Sequence, residues 1–294
     1  MNHLDMSAVA ANVFIPIGGW INATTSSSTE RPFSGTFDGN GKKIRNLSIT
    51  RNASGAAVGL FGHTSGATIK NLGIENGNIT TTNASYIGGL VGSAVGGTIT
   101  NCSFSGTVSG SGATYVGGLA GSSGAITTSC YTTGVVTYGT NTGGLFGIGS
   151  NIISNCFSTC TMTGSATANA YLGGLIGRTY SSLTSIFNCY AAPTAFTRNT
   201  NASARNGLFI GNYEEYAGGP LGEVINCYYS NRLEAGNLPA YMGTGTITTG
   251  QLIGKTDTEL KEAATATLLN AGQTPQAWRA DFTPNVNGGF PILS

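Results

Sequence analysis

What most limits the folding of this chain is a repeat. Gly-Leu-x-Gly recurs as VGLFG at Leu60, IGGLVG at Leu90, VGGLAG at Leu119, TGGLFG at Leu145, LGGLIG at Leu175 and, more loosely, NGLFIG at Leu208. Successive leucines lie 30, 29, 26, 30 and 33 residues apart. A period of this size marks a stacked array, in which each unit buries its apolar face against its neighbours. Between these units lies a second element, Ile-x-Asn-Leu/Cys. It reads Ile44-Asn46-Leu47, Ile69-Asn71-Leu72, Ile99-Asn101-Cys102, Ile153-Asn155-Cys156, Ile186-Asn188-Cys189 and Val224-Asn226-Cys227, with one departing copy at Ile126, Ser129 and Cys130. A third short apolar segment follows, ending at Ile49, Val108, Val136 or Met162.

Three strand-like pieces per period, rich in Thr, Val, Ile, Tyr and Phe, suit strands, and the glycines would weaken any helix by about 1 kcal/mol each. The pattern predicts an all-β fold, a parallel β-helix with about three short strands per coil of roughly thirty residues, each strand pairing with its equivalent about 4.8 Å away. If Ile99 and Cys102 both point inward, the two-residue alternation breaks between them. Asn101 is then expected to turn the corner in the left-handed conformation. Asn46, Asn71, Asn101, Asn155, Asn188 and Asn226 are expected to stack as a ladder beside an aliphatic leucine ladder. Glycines flanking the leucines are expected to supply dihedral freedom at sharp bends.

The ends differ from the middle. Residues 1–250 read as the β-helix, with an opening coil over 1–50 that carries the DGNG turn at Asp38. Residues 251–294 read as a C-terminal cap with a short helix and a closing strand. Its helix carries a Thr256/Glu259 capping box, Leu260, Ala264 and Leu268 on one face, and Gly272 as terminator. Trp278 and the final GGFPIL are expected to close the stack, whose last coil would otherwise expose strand edges.

Composition narrows function. The 294 residues include 46 glycines and only 9% charged residues, against 40% hydrophobic ones. A surface solvated by hydroxyls and amides follows, with enough apolar material for a core. The net charge of +1 gives no basic field for nucleic acid. No stretch approaches eighteen apolar residues, so no membrane-spanning segment is expected, and the opening Met1–Phe14 lacks a secretion-signal pattern.

These motifs closely resemble the GLUG-motif family of bacterial surface proteins. The resemblance rests on Pro16-Ile17-Gly18, FSGTFDGNGKKIRNL from Phe33, the GGLxG and NCxxxG units, and Trp278 to GGFPIL, and it covers nearly the whole chain. It implies a right-handed β-helix of the kind found in adhesins and in non-catalytic regions of immunoglobulin A-cleaving peptidases. It also implies an extracellular or cell-surface location, and no defined activity. Leu4-Asp5-Met6 resembles the middle of a family opening strand, so the chain is expected to begin partway through a coil.

Chemistry is sparse. From Asn76 through Gly177 there is no Asp, Glu, Lys, Arg or His, so half the coil stack offers no carboxylate pair, metal cluster or lysine base. His3 and His63 are the only histidines, with no HExxH. No catalytic residue, metal ligand or cofactor is expected. Asp38 reads as a turn residue. Cys102, Cys130, Cys156, Cys189 and Cys227 take the inward slot of Leu47 and Leu72 and read as buried thiols. Cys160 replaces the turn glycine of Gly106 and Gly134 and is expected to be partly exposed, either as a reactive or intermolecular thiol or as a tolerated corner residue. The expanded coil between Cys189 and Cys227 regains charge, and its residues of interest are Arg198, Arg205, Tyr213, Glu214, Glu215 and Tyr216. It is either a solvated loop or a ligand-contact loop whose exposed tyrosines could stack on sugar rings. The resulting expectation is a non-catalytic extracellular module for adhesion or surface architecture, with a host matrix protein, a glycan or a second copy of itself as partner. The alternatives are a fibre subunit stacking through its coil ends, and a carbohydrate-active enzyme acting through Glu214 or Glu215.

Overall fold

The computed structural model describes residues 3–19, 31–52, 54–180, 184–214, 222–232, 239–241, 243–244, 246–247, 251–271, 273–281, 287 and 290–293. They form a parallel β-solenoid of about six turns. One six-stranded sheet stacks Ala57–Val58, Tyr86–Gly88, Tyr115–Gly117, Asn141–Gly143, Tyr171–Gly173 and Arg205–Gly207. A second stacks Phe61–Ser65, Val91–Val95, Ala120–Ser123, Phe146–Gly149, Ile176–Tyr180 and Ile210–Glu214. A sixteen-stranded sheet wraps the remaining faces. Its longest strands, Thr68–Thr82 and Thr98–Ser111, run straight through the corners. Pairing within these three sheets is parallel, so like residues lie over like.

The repeat leucines Leu60, Leu90, Leu119, Leu145 and Leu175 form one buried column, each worth about 2 kcal/mol of burial; in the last coil Phe209 takes the place over Leu175, and the loosely matching Leu208 falls over Gly174. Their flanking glycines are required for space, which corrects the dihedral expectation. None of Gly88, Gly117, Gly143, Gly173 and Gly207 has positive φ. A Cβ on Gly143 would lie 1.9 Å from the carbonyl oxygen of Phe146, so the chain folds back on itself too closely for any side chain.

The asparagine corner forms as expected. Asn71, Asn101, Asn155, Asn188 and Asn226 have φ between 52° and 56°, and Ser129, at 56°, takes the same role in the departing coil. Rungs are in place where the Asn101 amide donates to Asn71 Oδ1 at 2.9 Å and that of Asn226 to Asn188 Oδ1 at 2.7 Å. In that departing coil Thr127, not Ile126, pairs with Ile99 and points inward, and Ile126 lies exposed. Asn46 belongs to a different corner. Arg45 pairs with Glu75, and the Asn76 amide donates to Asn46. The place below Asn71 is taken by Asp38, which accepts from Asn71 at 3.0 Å and from the backbone N–H of Asn40 at 2.8 Å. The DGNG turn shifts the opening coil's register, with Asn40 and Gly41 at positive φ, so Lys42 rather than Leu47 stands under Leu72.

The cysteine column Leu72–Cys102–Cys130–Cys156–Cys189–Cys227 is wholly buried and its thiols are free. Each thiol donates to the carbonyl two residues before it, from 3.1 Å at Cys156 and Cys189 to 3.3 Å at Cys102, Cys130 and Cys227. That carbonyl precedes the left-handed corner, so cysteine fills a core slot and also adds a weak thiol hydrogen bond that leucine cannot make. Burial pushes the Cys130 and Cys189 thiols up from their ordinary value.

The C-terminal segment corrects two expectations. The capping box forms, with Glu259 N–H donating to Thr256 Oγ1 at 3.2 Å and Thr256 N–H donating to Glu259 at 2.7 Å. The helix then breaks at Glu262, whose ψ is 147°, into α1 (Asp257–Lys261) and α2 (Ala263–Leu269). The break resets the helical phase. Leu260, Thr265, Ala266 and Leu269 face inward and Leu268 is exposed, while Gly272 lies outside the described residues. Beyond α2 the described residues do not close the stack's end. The chain runs back along the flank, where Trp278–Arg279 pairs antiparallel with Ile292–Leu293.

Candidate functional site

The flank that receives this strap is built by one register column. Residues following the inward cysteines point outward by alternation. Their column reads Lys43, Gly73, Ser103, Tyr131, Phe157, Tyr190 and Tyr228. Tyr131 stacks on Phe157 with centroids 4.9 Å apart and planes 3° apart, and Phe157 stacks on Tyr190 at 4.9 Å and 4°. The strap covers these rings. Trp278 lies 5.8 Å from Phe157 and 5.5 Å from Tyr190, and its indole N–H donates to Asn155 at 3.2 Å. The Tyr190 hydroxyl donates to the Pro291 carbonyl at 2.7 Å and accepts from the Asn287 amide at 2.7 Å. Burial, reinforced by the Asp281 charge and only partly opposed by the Asn287 hydrogen bond, raises the Tyr190 phenol well above its ordinary value.

Where the strap ends, a cleft of about 380 Å³ opens. Tyr131 forms its inner wall, and Ser103, Ser105 and Thr133 supply hydroxyls. Arg279, Ile292 and Leu293 line the strap side, and Lys43 and Glu75 line the far side. Glu75 is bound by Lys43 and by Arg45 Nε at 2.9 Å. The Lys43 hydrogen bond, foremost, holds its carboxyl below the usual range. Motif reading missed this cleft. Its signal was the residue after each cysteine, aromatic after Cys130, Cys156, Cys189 and Cys227 but serine after Cys102.

The residues singled out from the sequence have mixed fates. Arg205 and Glu214 come together through Asn212, which accepts from Arg205 and donates to Glu214. Two unanticipated residues join them. Arg178 reaches Glu214 at 2.8 Å, and Tyr171 lies under both guanidinium groups at 5.7 and 5.8 Å. Burial alone would raise the Glu214 carboxyl, but hydrogen bonds from Arg178 and Asn212 and the nearby arginine charges bring it below the usual range. The group clamps neighbouring coils together, and its carboxylate is committed to these partners. Arg198 is exposed beyond strand Ala195–Thr197 and stands outside this group. Glu215 and Tyr216 lie outside the described residues.

Tyr213 is not an exposed platform. It occupies the inward slot above Thr179 and is buried, packed edge-on to Tyr241 at 5.9 Å. Cys160 is likewise buried, 1% exposed, with its thiol toward the Gly144 carbonyl at 3.9 Å. Gly134 holds φ at 110°, whereas Cys160 avoids positive φ and turns its side chain inward. Burial pushes its thiol up to about 11. Among the described residues no group of three or more His, Cys, Asp or Glu side chains could hold a metal ion, and no helix is long and apolar enough to cross a membrane.

The fold and flank define a β-solenoid of stacked Gly-Leu-x-Gly coils, and comparison with known proteins gives that class its motif. Residues 83–109 match the family profile described as the GLUG motif, so the chain is a GLUG-containing β-solenoid. It is 40% identical over 113 residues to halomucin of Haloquadratum walsbyi, which covers 37% of this chain but spans only 1% of halomucin. A crystal structure from Bacteroides ovatus, of a candidate immunoglobulin A1 protease, matches with a TM-score of 0.61 at 19% identity, covering 99% of this chain and 84% of that one. This second likeness is one of fold.

Proposed function

We propose that this chain is a non-catalytic module of an extracellular surface, serving adhesion or surface architecture by binding a matrix protein or a glycan. The observation that carries the reading is the uncharged stretch from Asn76 to Gly177, laid over successive coils. It presents hydroxyls, amides and backbone along a rigid rod but carries no carboxylate, imidazole or amine for turnover, and its four thiols are buried. The sequence likeness to halomucin and the fold shared with the Bacteroides ovatus protein support a surface setting.

The test is to immobilise the chain on beads and assay it against matrix proteins and a glycan array, with parallel incubations for cleavage. Saturable binding with intact ligands is expected. Cleavage of a glycan or protein that disappears in Glu214→Gln would overturn the reading in favour of an enzyme, and beads that bind nothing above an uncoated control would remove adhesion.

A further inference from the structure

The flank column carries a vacancy of defined size. Rings follow one another at 4.9 Å from Tyr190 through Phe157 to Tyr131. The next residue in register is Ser103, and the one beyond it is Gly73. A Cβ at Gly73 would lie 3.3 Å from Lys43 Cγ, so the lysine stem closes the bottom of the gap. What remains is a slot one side chain tall, with the second face of Tyr131 as its ceiling. A flat ring-sized group fits there at the same repeat that separates the protein's own rings.

The lining says which ring. Hydroxyls of Ser103, Ser105 and Thr133 surround the slot, while Ile292 and Leu293 contribute its apolar side. An apolar face ringed by hydrogen-bonding edges is the surface a pyranose presents. Charge narrows it further. Glu75 is held by two cations, Lys43 and Arg45, so its charge is more than offset, and Arg279, exposed at the rim, adds a further cation facing the cleft. A guanidinium there suits a carboxylate.

We infer that the slot between Tyr131 and Ser103 binds the pyranose ring of an acidic sugar, its CH face on Tyr131 and its carboxylate toward Arg279. This deepens the glycan arm of the proposed function and rests on it.

Saturation-transfer NMR and calorimetry with methyl glucuronide, methyl glucoside and galacturonate oligomers test the inference. The acidic probes are expected to bind, with transfer strongest at ring C–H protons and affinity falling as salt is raised. Tyr131→Ala is expected to weaken binding by about tenfold or more. Ser103→Tyr continues the aromatic column, so it should keep the wild-type Tm or raise it while abolishing binding. Arg279→Gln should bring glucuronide down to the level of glucoside. The assignment is overturned if Ser103→Tyr, folded by circular dichroism, binds as the wild type does, or if glucoside binds as tightly as glucuronide. Glycan-array binding that persists in Ser103→Tyr would sink the slot and leave the adhesive reading standing, whereas loss of both in the wild type would sink the two together.

Discussion

The interior of the solenoid and its outer flank are built by the same strands and follow different rules. Inside, the main columns keep their chemistry over most coils. Leucine lies over leucine, cysteine over cysteine, and the corner keeps its left-handed residue even where serine replaces asparagine. Outside, the residue after each member of the column that runs from Lys42 through Leu72 to the cysteines passes from lysine through glycine and serine to four aromatics, and that one column decides which coils are bare and which are clad by the strap. A parallel stack constrains its inner surface by contact at about 4.8 Å in both directions, while its outer surface is free to vary. Individuality is therefore written on the flank.

If interior invariance reflects hard steric limits, the largest effect should come from the tightest inner glycine. Gly143→Ala places a Cβ against the Phe146 carbonyl and is expected to cost about 4 kcal/mol or prevent folding; denaturant unfolding against Gly124→Ala, where an added Cβ would meet nothing nearer than 3.6 Å and φ is not positive, measures the contrast. The flank should respond more locally. Trp278→Ala is expected to cost about 3 kcal/mol and to free the C-terminal segment for proteolysis while far-ultraviolet circular dichroism of the coils persists; a whole-chain collapse would erase the distinction between the two regions.

A corner falls between these. Asn101→Ala is expected to lose about 2 kcal/mol through the left-handed backbone and the lost rung, with Asn101→Gly recovering roughly half. Smallest is the outer ion pair. The folded Glu214 carboxyl sits below its ordinary value of 4.5, so its contribution is complete above that pH and is lost as pH falls through and below it. With side chains about a quarter exposed, Glu214→Gln should cost about 1 kcal/mol or less, and an acid titration of stability that Glu214→Gln leaves unchanged would contradict the clamp.

The interior was legible because its rules are periodic. Ile-x-Asn-Cys encodes two inward residues around a left-handed corner, and no other reading of Asn101 lets Ile99 and Cys102 both face in. What escaped was local substitution within that grammar. Tyr213 looks like a loop aromatic until its register above Thr179 is known, and Cys160 looks like a turn residue because Gly134 is one. The strap escaped for another reason. Its contacts join Trp278 to Asn155 and Tyr190 to Pro291, more than a hundred residues apart, and no short period reports such a return.

That return changes how the rod can come undone. In a pure repeat array each unit is held by nearest neighbours, so terminal units fray one at a time. Here the strap touches the coils of Asn155 and Tyr190, while the end of α2 that leads into it holds the coil of Asn226. Together they tie three links of the chain into a single cooperative block, and hydrogen exchange across them should rise in unison while the opposite end loosens turn by turn.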